Sequence, residues 1–175
     1  LPGDFTQVNS EVNHKMVAQA ITLLQPRADE QVLDLFCGIG NFTLPLALHA
    51  ASVVGVEGDA GLVERARLNA ERNTIANAEF FAADLYGELA AEPWMESRFE
   101  KALLDPPRSG ARQVLSLLPS LGVRRIVYVS CYPGTLARDA GELVDEHGYT
   151  LQSAGVIDMF PHTAHVESIT LFEKV

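Results

Sequence analysis

The sequence predicts an α/β domain in which mostly parallel strands alternate with helices. Short apolar runs rich in valine, leucine and isoleucine recur along the chain, and stretches with helical periodicity separate them. Runs of this kind are typical of buried parallel strands joined by helical crossovers. With 175 residues the chain has room for a sizeable core, but hardly for two domains. We therefore expect a single α/β domain.

The elements follow from these runs in chain order. A helix over about 10–25 precedes the first strand, and the helix near 134–147 opens at Pro133, a favoured first-turn residue. Further helices are predicted near 41–50, 60–73 and 111–121, with a longer loop at 92–98. The strands are predicted near 31–37, 52–57, 78–84, 101–105, 125–131, 149–157 and 166–174.

Composition limits the classes of function. The net charge of -10 argues against this chain holding a polyanion by itself, because nucleic-acid affinity depends on lysine and arginine at phosphates. The two cysteines lie far apart in sequence, which favours a reducing compartment over a disulfide framework. Neither a membrane span nor a secretory leader is indicated, so we expect a cytoplasmic protein. No metal-ligand spacing is present, and His162 and His165 are expected to be structural.

Acidic residues mark the strand ends, where open α/β sheets bind ligands. The first strand runs into residues 34–43 (DLFCGIGNFT), whose two glycines allow close backbone approach to a ligand. Thr43 stands where a dinucleotide fingerprint has its third glycine. Glu57, suited to ribose hydroxyls, ends the second strand, and Asp84 and Asp105 end the next two. This pattern favours a cofactor with a nucleoside and a cationic centre, such as S-adenosylmethionine.

Cys131 lies where the apolar run 125–129 stops and a helix begins. The partial positive charge of a helix amino terminus is a local reason for the thiol to ionise, which predicts a nucleophile. The alternative is a buried structural cysteine. If the last strand is antiparallel to the others, its first residues lie beside their carboxyl ends, and Glu167 then faces Cys131.

Five short motifs are spread along the chain: residues 5–9 (FTQVN), 34–43 (DLFCGIGNFT), 105–108 (DPPR), 130–139 (SCYPGTLARD) and 162–167 (HTAHVE). On these motifs the chain closely resembles the catalytic domain of the bacterial RNA uracil-5-methyltransferases. The likeness is greatest to the members that act on 23S ribosomal RNA.

The resemblance implies a Rossmann-like, seven-stranded S-adenosylmethionine-dependent methyltransferase sheet whose last strand is antiparallel and inserted next to the fifth. It implies methyl transfer to C5 of a uridine through a covalent cysteine–uracil C6 adduct. Cys131 would be the nucleophile and Glu167 the general base. The S-adenosylmethionine contacts carried over by the match are Gln7, Phe36, Asn41, Glu57, Asp84 and Asp105.

Two departures from the family pattern bear on function. Such proteins also carry an amino-terminal RNA-binding barrel and a four-cysteine iron–sulfur site, so residues 1–175 are expected to be the catalytic domain alone. The RNA would then be bound mainly through parts outside this chain, and no membrane or protein partner is implied. The family also usually has asparagine where Tyr132 stands, which leaves the uracil contacts of this loop open.

Three alternatives remain at this stage. A transfer-RNA uracil-5-methyltransferase would share the catalytic pair. An amino-group methyltransferase is suggested by the sequence Asp105-Pro106-Pro107, but that chemistry would leave Cys131 idle. The third alternative is a cofactor-binding module without activity of its own.

Overall fold

The computed structural model describes residues 10–89, 92–157 and 166–174. Within these ranges the chain forms a seven-stranded sheet with helices packed on it. The strands are β1 (Gln31–Leu35), β2 (Ser52–Glu57), β3 (Ala78–Ala82), β4 (Lys101–Leu104), β5 (Arg125–Ser130), β6 (Tyr149–Ile157) and β7 (Glu167–Lys174). The helices are α1 (Ser10–Leu24), α2 (Thr43–Ala47), α3 (Ala60–Arg72), α4 (Arg112–Leu115), α5 (Leu117–Ser120) and α6 (Pro133–Asp145), with a 3₁₀ turn at Pro93–Glu96.

The strand order is β3-β2-β1-β4-β5-β7-β6. Strands β1 to β5 pair in parallel, whereas β7 is antiparallel to both β5 and β6. This topology confirms the predicted fold class, including an antiparallel last strand inserted next to the fifth. The β5–β7 register ends at Ser130 opposite Ser168, which brings Cys131 and Glu167 to the same edge of the sheet.

The central strands of the sheet are buried on both faces, because their alternate residues enter different cores. In β5, Ile126 and Tyr128 pack with residues of α4, α5 and α6. Val127 and Val129 pack instead with residues of α1 and α2. In the described ranges, no helix is both long and apolar enough to traverse a bilayer.

Several predicted bounds were wrong. The helix predicted over 111–121 is two short helices, because Pro119 has no N–H to donate to the carbonyl of Leu115. Strand β1 ends at Leu35 rather than at 37, since Phe36 takes a φ of 65°. Helix α2 covers only Thr43–Ala47 of the predicted 41–50. The predicted loop at 92–98 contains the 3₁₀ turn, which buries Trp94.

Candidate active site at the carboxyl ends of the strands

The turn after β1 has an unusual backbone that opens space beside it. Phe36, Gly38 and Gly40 all have positive φ angles, of 65°, 55° and 88°. Such a conformation is costly for Phe36 and is characteristic of functional sites. The Gly38 N–H donates to Glu57 Oε2 over 3.0 Å, so the turn is tied to the end of β2. Within the described ranges, a Cβ atom on Gly38 would meet nothing within 4 Å, so no described residue occupies the space against this backbone.

Asp34 is a wholly buried carboxyl group that is only half satisfied. The Thr43 hydroxyl donates to Asp34 Oδ2 over 2.5 Å, while Oδ1 has no hydrogen-bond partner among the residues that the structure describes. Burial, with a smaller contribution from Glu57, raises the pKa of Asp34 from 3.8 to about 7 against the opposing Thr43 bond. A cation placed here would favour the ionised form. Asp34 belongs to the motif at residues 34–43 but is not among the predicted cofactor contacts.

Asp105 continues this acidic edge after β4. Burial raises its pKa from 3.8 to about 8, and the Glu167 and Asp34 carboxyls add to the rise. Glu167 is 7% exposed, and burial raises its pKa as well. The four carboxyl groups are arranged in the order of the strands across the sheet. Glu57 lies on β2, Asp34 on β1, Asp105 just after β4 and Glu167 on β7. The predicted acidic strand ends therefore form one continuous site with a strong preference for positive charge.

Cys131 is partly buried and lies just beyond the end of β5. Burial raises the pKa of its thiol, and the Glu167 and Asp105 carboxyls raise it further. A backbone N–H and the Arg108 guanidinium act in the opposite direction. The expectation that the start of α6 alone would favour the thiolate was wrong, because the two carboxyls and desolvation outweigh it. The surroundings of Cys131 therefore favour the thiol over the thiolate.

The remaining predicted cofactor residues occupy the same edge with different partners. The exposed Asp84 carboxylate accepts the Tyr86 N–H over 3.0 Å, and the Phe36 and Tyr86 rings lie 5.8 Å apart. The Asn41 side chain exchanges two hydrogen bonds with Asn13 of α1, of 2.9 and 3.1 Å. The Asn41 amide is therefore already paired and serves to fix the turn against α1.

Gln7, His162 and His165 lie outside the described residues, so their predicted roles stay predictions. Among the residues that the structure does describe, no cluster of three or more histidine, cysteine or acidic side chains could hold a metal ion.

A buried polar network that the sequence analysis missed anchors the loop after β4. Asp139 of α6 is wholly buried and accepts hydrogen bonds from the Ala111 N–H over 2.7 Å and the Tyr128 hydroxyl over 2.6 Å. Arg138 donates to the other Asp139 oxygen and to the Ser109 carbonyl. The signal was present in the sequence, since Asp139 falls on the helical face that buries apolar α6 residues.

This sheet order and its acidic edge define the class of protein, an α/β domain of the methyltransferase type. The chain belongs to the tRNA (uracil-5-)-methyltransferase family, whose model matches residues 2–175. The family resemblance given by the motifs is thereby confirmed.

Curated relatives show the same likeness. The chain is 66% identical over 173 residues to the 23S rRNA (uracil(1939)-C(5))-methyltransferase RlmD of Stenotrophomonas maltophilia. The match covers 99% of this chain and 39% of that protein. The RlmD protein of Xanthomonas axonopodis pv. citri is 63% identical with the same coverage. The chain thus spans about two fifths of the length of these relatives.

Solved structures agree with the fold. The Pyrococcus abyssi tRNA (uracil-54, C5)-methyltransferase, solved in complex with S-adenosyl-L-homocysteine, gives a TM-score of 0.81 at 32% identity. The match covers 98% of this chain and 40% of that one. The magnesium protoporphyrin IX methyltransferase of Synechocystis PCC 6803 gives 0.73 at 18% identity over 98% of this chain and 88% of its own, a likeness of fold alone.

Proposed function

We propose that this chain is the catalytic domain of an S-adenosylmethionine-dependent enzyme that methylates C5 of a uridine in 23S ribosomal RNA. The observation that carries the proposal is the position of Cys131 and Glu167. They lie at adjoining ends of the antiparallel pair β5 and β7, beside the acidic edge formed by Asp34, Glu57 and Asp105.

The site fits the proposed cofactor. S-adenosylmethionine supplies an electrophilic methyl group on a cationic sulfur. Glu57, already fixed by the Gly38 N–H, can accept ribose hydroxyls with its remaining lone pairs. The unpaired Asp34 Oδ1 and the Asp105 carboxyl offer negative charge to an ammonium or sulfonium group. The tilted Phe36 and Tyr86 rings offer an apolar surface near these groups, and Gln7 and Asn41 remain proposed contacts of the cofactor.

Cys131 activates the uracil ring. Its thiolate adds to C6, and the electrons of the C5–C6 double bond move towards C5 and O4, so that C5 becomes an enolate-like nucleophile. Attack by C5 on the methyl group breaks the sulfur–methyl bond and leaves a neutral thioether. Cys131 is then bonded to C6 of a ring that carries both a methyl group and a proton at C5.

Glu167 resolves this adduct. The carboxylate removes the C5 proton, the electron pair re-forms the double bond, and the Cys131 thiolate leaves. Burial raises the pKa of Glu167, which brings its basicity nearer to the working pH. The same carboxyl opposes ionisation of Cys131, so thiolate and base act in turn rather than together.

Ribosomal RNA is favoured over transfer RNA because relatives at 62–66% identity are named 23S rRNA enzymes, whereas the tRNA enzyme of known structure is 32% identical. The target base must leave its stack to enter the site, at a cost of a few kcal/mol. A chain with a net charge of -10 offers little affinity for phosphates to offset that cost. We therefore expect weak RNA binding by these 175 residues alone.

Covalent capture tests the proposal in the full reading frame that contains this chain. Fluorine at C5 cannot be removed as a proton, so 5-fluorouridine RNA should trap the enzyme as a methylated adduct. Cys131→Ala should abolish the adduct, whereas the control Cys37→Ala, at a buried cysteine, should retain it. A 23S fragment should be captured in preference to a tRNA. Capture by the Cys131→Ala variant would refute the mechanism, and capture of tRNA alone would refute the substrate.

A further inference from the structure

Arg108 lies over the aromatic ring of Tyr132, the residue that follows the proposed nucleophile Cys131. The guanidinium carbon is 5.1 Å from the ring centroid, within the range of a cation–π interaction. Arg138, on the neighbouring helix, is neutralised by an ion pair with Asp139. Arg108 forms no ion pair within the part of the chain that the structure describes, so its charge remains available to Cys131.

The backbone around this pair is fixed by hydrogen bonds. The Ser130 hydroxyl donates to the Tyr132 carbonyl and accepts the Tyr132 N–H, both over 3.1 Å. The Thr135 hydroxyl lies 3.1 Å from the Arg108 carbonyl and 3.2 Å from the Tyr132 carbonyl. A Cβ atom on Gly134 would lie 3.0 Å from the Tyr132 ring, so the glycine lets the ring settle on the start of α6. The ring position is therefore determined by its surroundings although 43% of Tyr132 is exposed.

Three charged groups act on the Cys131 thiol from the elements around it. Glu167 on β7 and Asp105 after β4 oppose thiolate formation and thereby raise its pKa, in addition to burial. Arg108, on the loop between β4 and α4, favours the thiolate, together with the Cys131 backbone N–H. The position of one flexible arginine side chain thus affects how readily the nucleophile forms.

We propose that Tyr132 is a positioning residue whose ring holds the Arg108 guanidinium beside Cys131, so that the thiolate forms next to a cation. Its importance for catalysis rests on the proposed function, in which Cys131 attacks uracil. In this proposal Tyr132 acts on the thiol through Arg108.

Alkylation of Cys131 by iodoacetamide, followed by mass spectrometry between pH 6 and 10, tests this in the 175-residue chain. Cys37 is 4% exposed and serves as the unreactive internal reference. Arg108→Gln removes the charge, Tyr132→Leu removes the aromatic face, and Tyr132→Phe keeps it. Circular dichroism and urea unfolding verify that each variant is folded.

The expected change in rate follows from the chemistry of the thiol. Loss of a nearby cation lowers the thiolate fraction by about tenfold. The more basic thiolate that remains is more reactive, which recovers about threefold. We expect Cys131 to be alkylated about threefold more slowly in Arg108→Gln and in Tyr132→Leu than in the wild type at pH 7.5. The midpoint of the pH profile of alkylation should move to higher pH in both variants. Tyr132→Phe should match the wild type, and the double variant should match Arg108→Gln.

Three results would overturn the inference: an unchanged profile for Tyr132→Leu, equal slowing by Tyr132→Phe, or additive effects in the double variant. The outcome is separable from that of the proposed function. Alkylation profiles as predicted, with no covalent RNA adduct, would leave the positioning role and remove the catalytic one. A normal RNA adduct, together with an unchanged alkylation profile of Tyr132→Leu, would support the catalytic role of Cys131 and refute the positioning role of Tyr132.

Discussion

Replacing Asp34 by asparagine should stabilise the chain at alkaline pH while removing its affinity for the cofactor. The wild-type carboxyl is wholly buried with one oxygen unpartnered, and its pKa rises from 3.8 to about 7 on folding. A carboxyl of this kind binds more protons in the folded than in the unfolded chain. Its contribution to stability is therefore complete below pH 3.8 and is lost as the pH rises through about 7.

The magnitude follows from the two pKa values. A rise from 3.8 to about 7 corresponds to about 4 kcal/mol of lost stability at pH 8. The asparagine amide adds a buried donor without a partner, which costs about 1–3 kcal/mol. Asp34→Asn should therefore exceed the wild type by about 1–3 kcal/mol at pH 8 and lose this advantage near pH 4.

Urea unfolding from pH 4 to 8.5 measures this difference, with Asp29→Asn in the exposed turn before β1 as the matched control. The free energy of unfolding should fall with rising pH less steeply for Asp34→Asn than for the wild type. The slope that remains in Asp34→Asn then reports Asp105, whose pKa rises to about 8, together with Glu167, whose pKa burial also raises. Parallel pH profiles for Asp34→Asn and the wild type would refute the reasoning.

Three further predictions concern the same edge of the sheet. In calorimetry of this chain, Glu57→Gln should weaken S-adenosylmethionine binding by about 1–3 kcal/mol, whereas Glu64→Gln, at an exposed position, should not weaken it. Equal affinities of the two variants for S-adenosylmethionine would contradict the assignment of Glu57 to the ribose. The preference for cationic S-adenosylmethionine over neutral S-adenosylhomocysteine should grow from pH 6 to 9 as Asp34 and Asp105 ionise, and should grow less in Asp105→Asn; equal growth in the two proteins would remove Asp105 from the cofactor site. In urea unfolding, Asp139→Asn should lower the free energy of unfolding by about 3 kcal/mol, whereas Glu142→Gln, whose partner Arg112 is exposed, should lower it by less than about 1 kcal/mol. Similar losses in the two variants would show that the buried network does not hold the loop.

The alternation of apolar runs and helical stretches predicted an α/β sheet of mostly parallel strands, and the family resemblance implied the antiparallel last strand next to the fifth. The observed strand order confirms both. On the condition that the last strand is antiparallel, the sequence also placed Cys131 beside Glu167, because that condition determines which residues share the sheet edge. The break at Pro119 could have been predicted from its missing N–H.

Other features depend on contacts between distant segments, which local patterns do not specify. Asp139 bonds to the Ala111 N–H 28 residues away, and the Asn13–Asn41 pair spans the same separation. The pKa of Cys131 rises because the thiol is partly buried and because carboxyls from β7 and from the loop after β4 converge on it. The start of α6, visible in the sequence, predicted the opposite direction.

The roles of Cys131 and Glu167 are tested most directly by the fate of the adduct with ordinary uridine RNA. In the full reading frame, Glu167→Gln should add to uracil and accept the methyl group, but it cannot remove the C5 proton. A methylated protein–RNA adduct should therefore accumulate and survive a denaturing gel. Glu173→Gln, at the opposite end of the same strand, should clear its adduct like the wild type. Clearance at the wild-type rate by Glu167→Gln would contradict the assignment of the base.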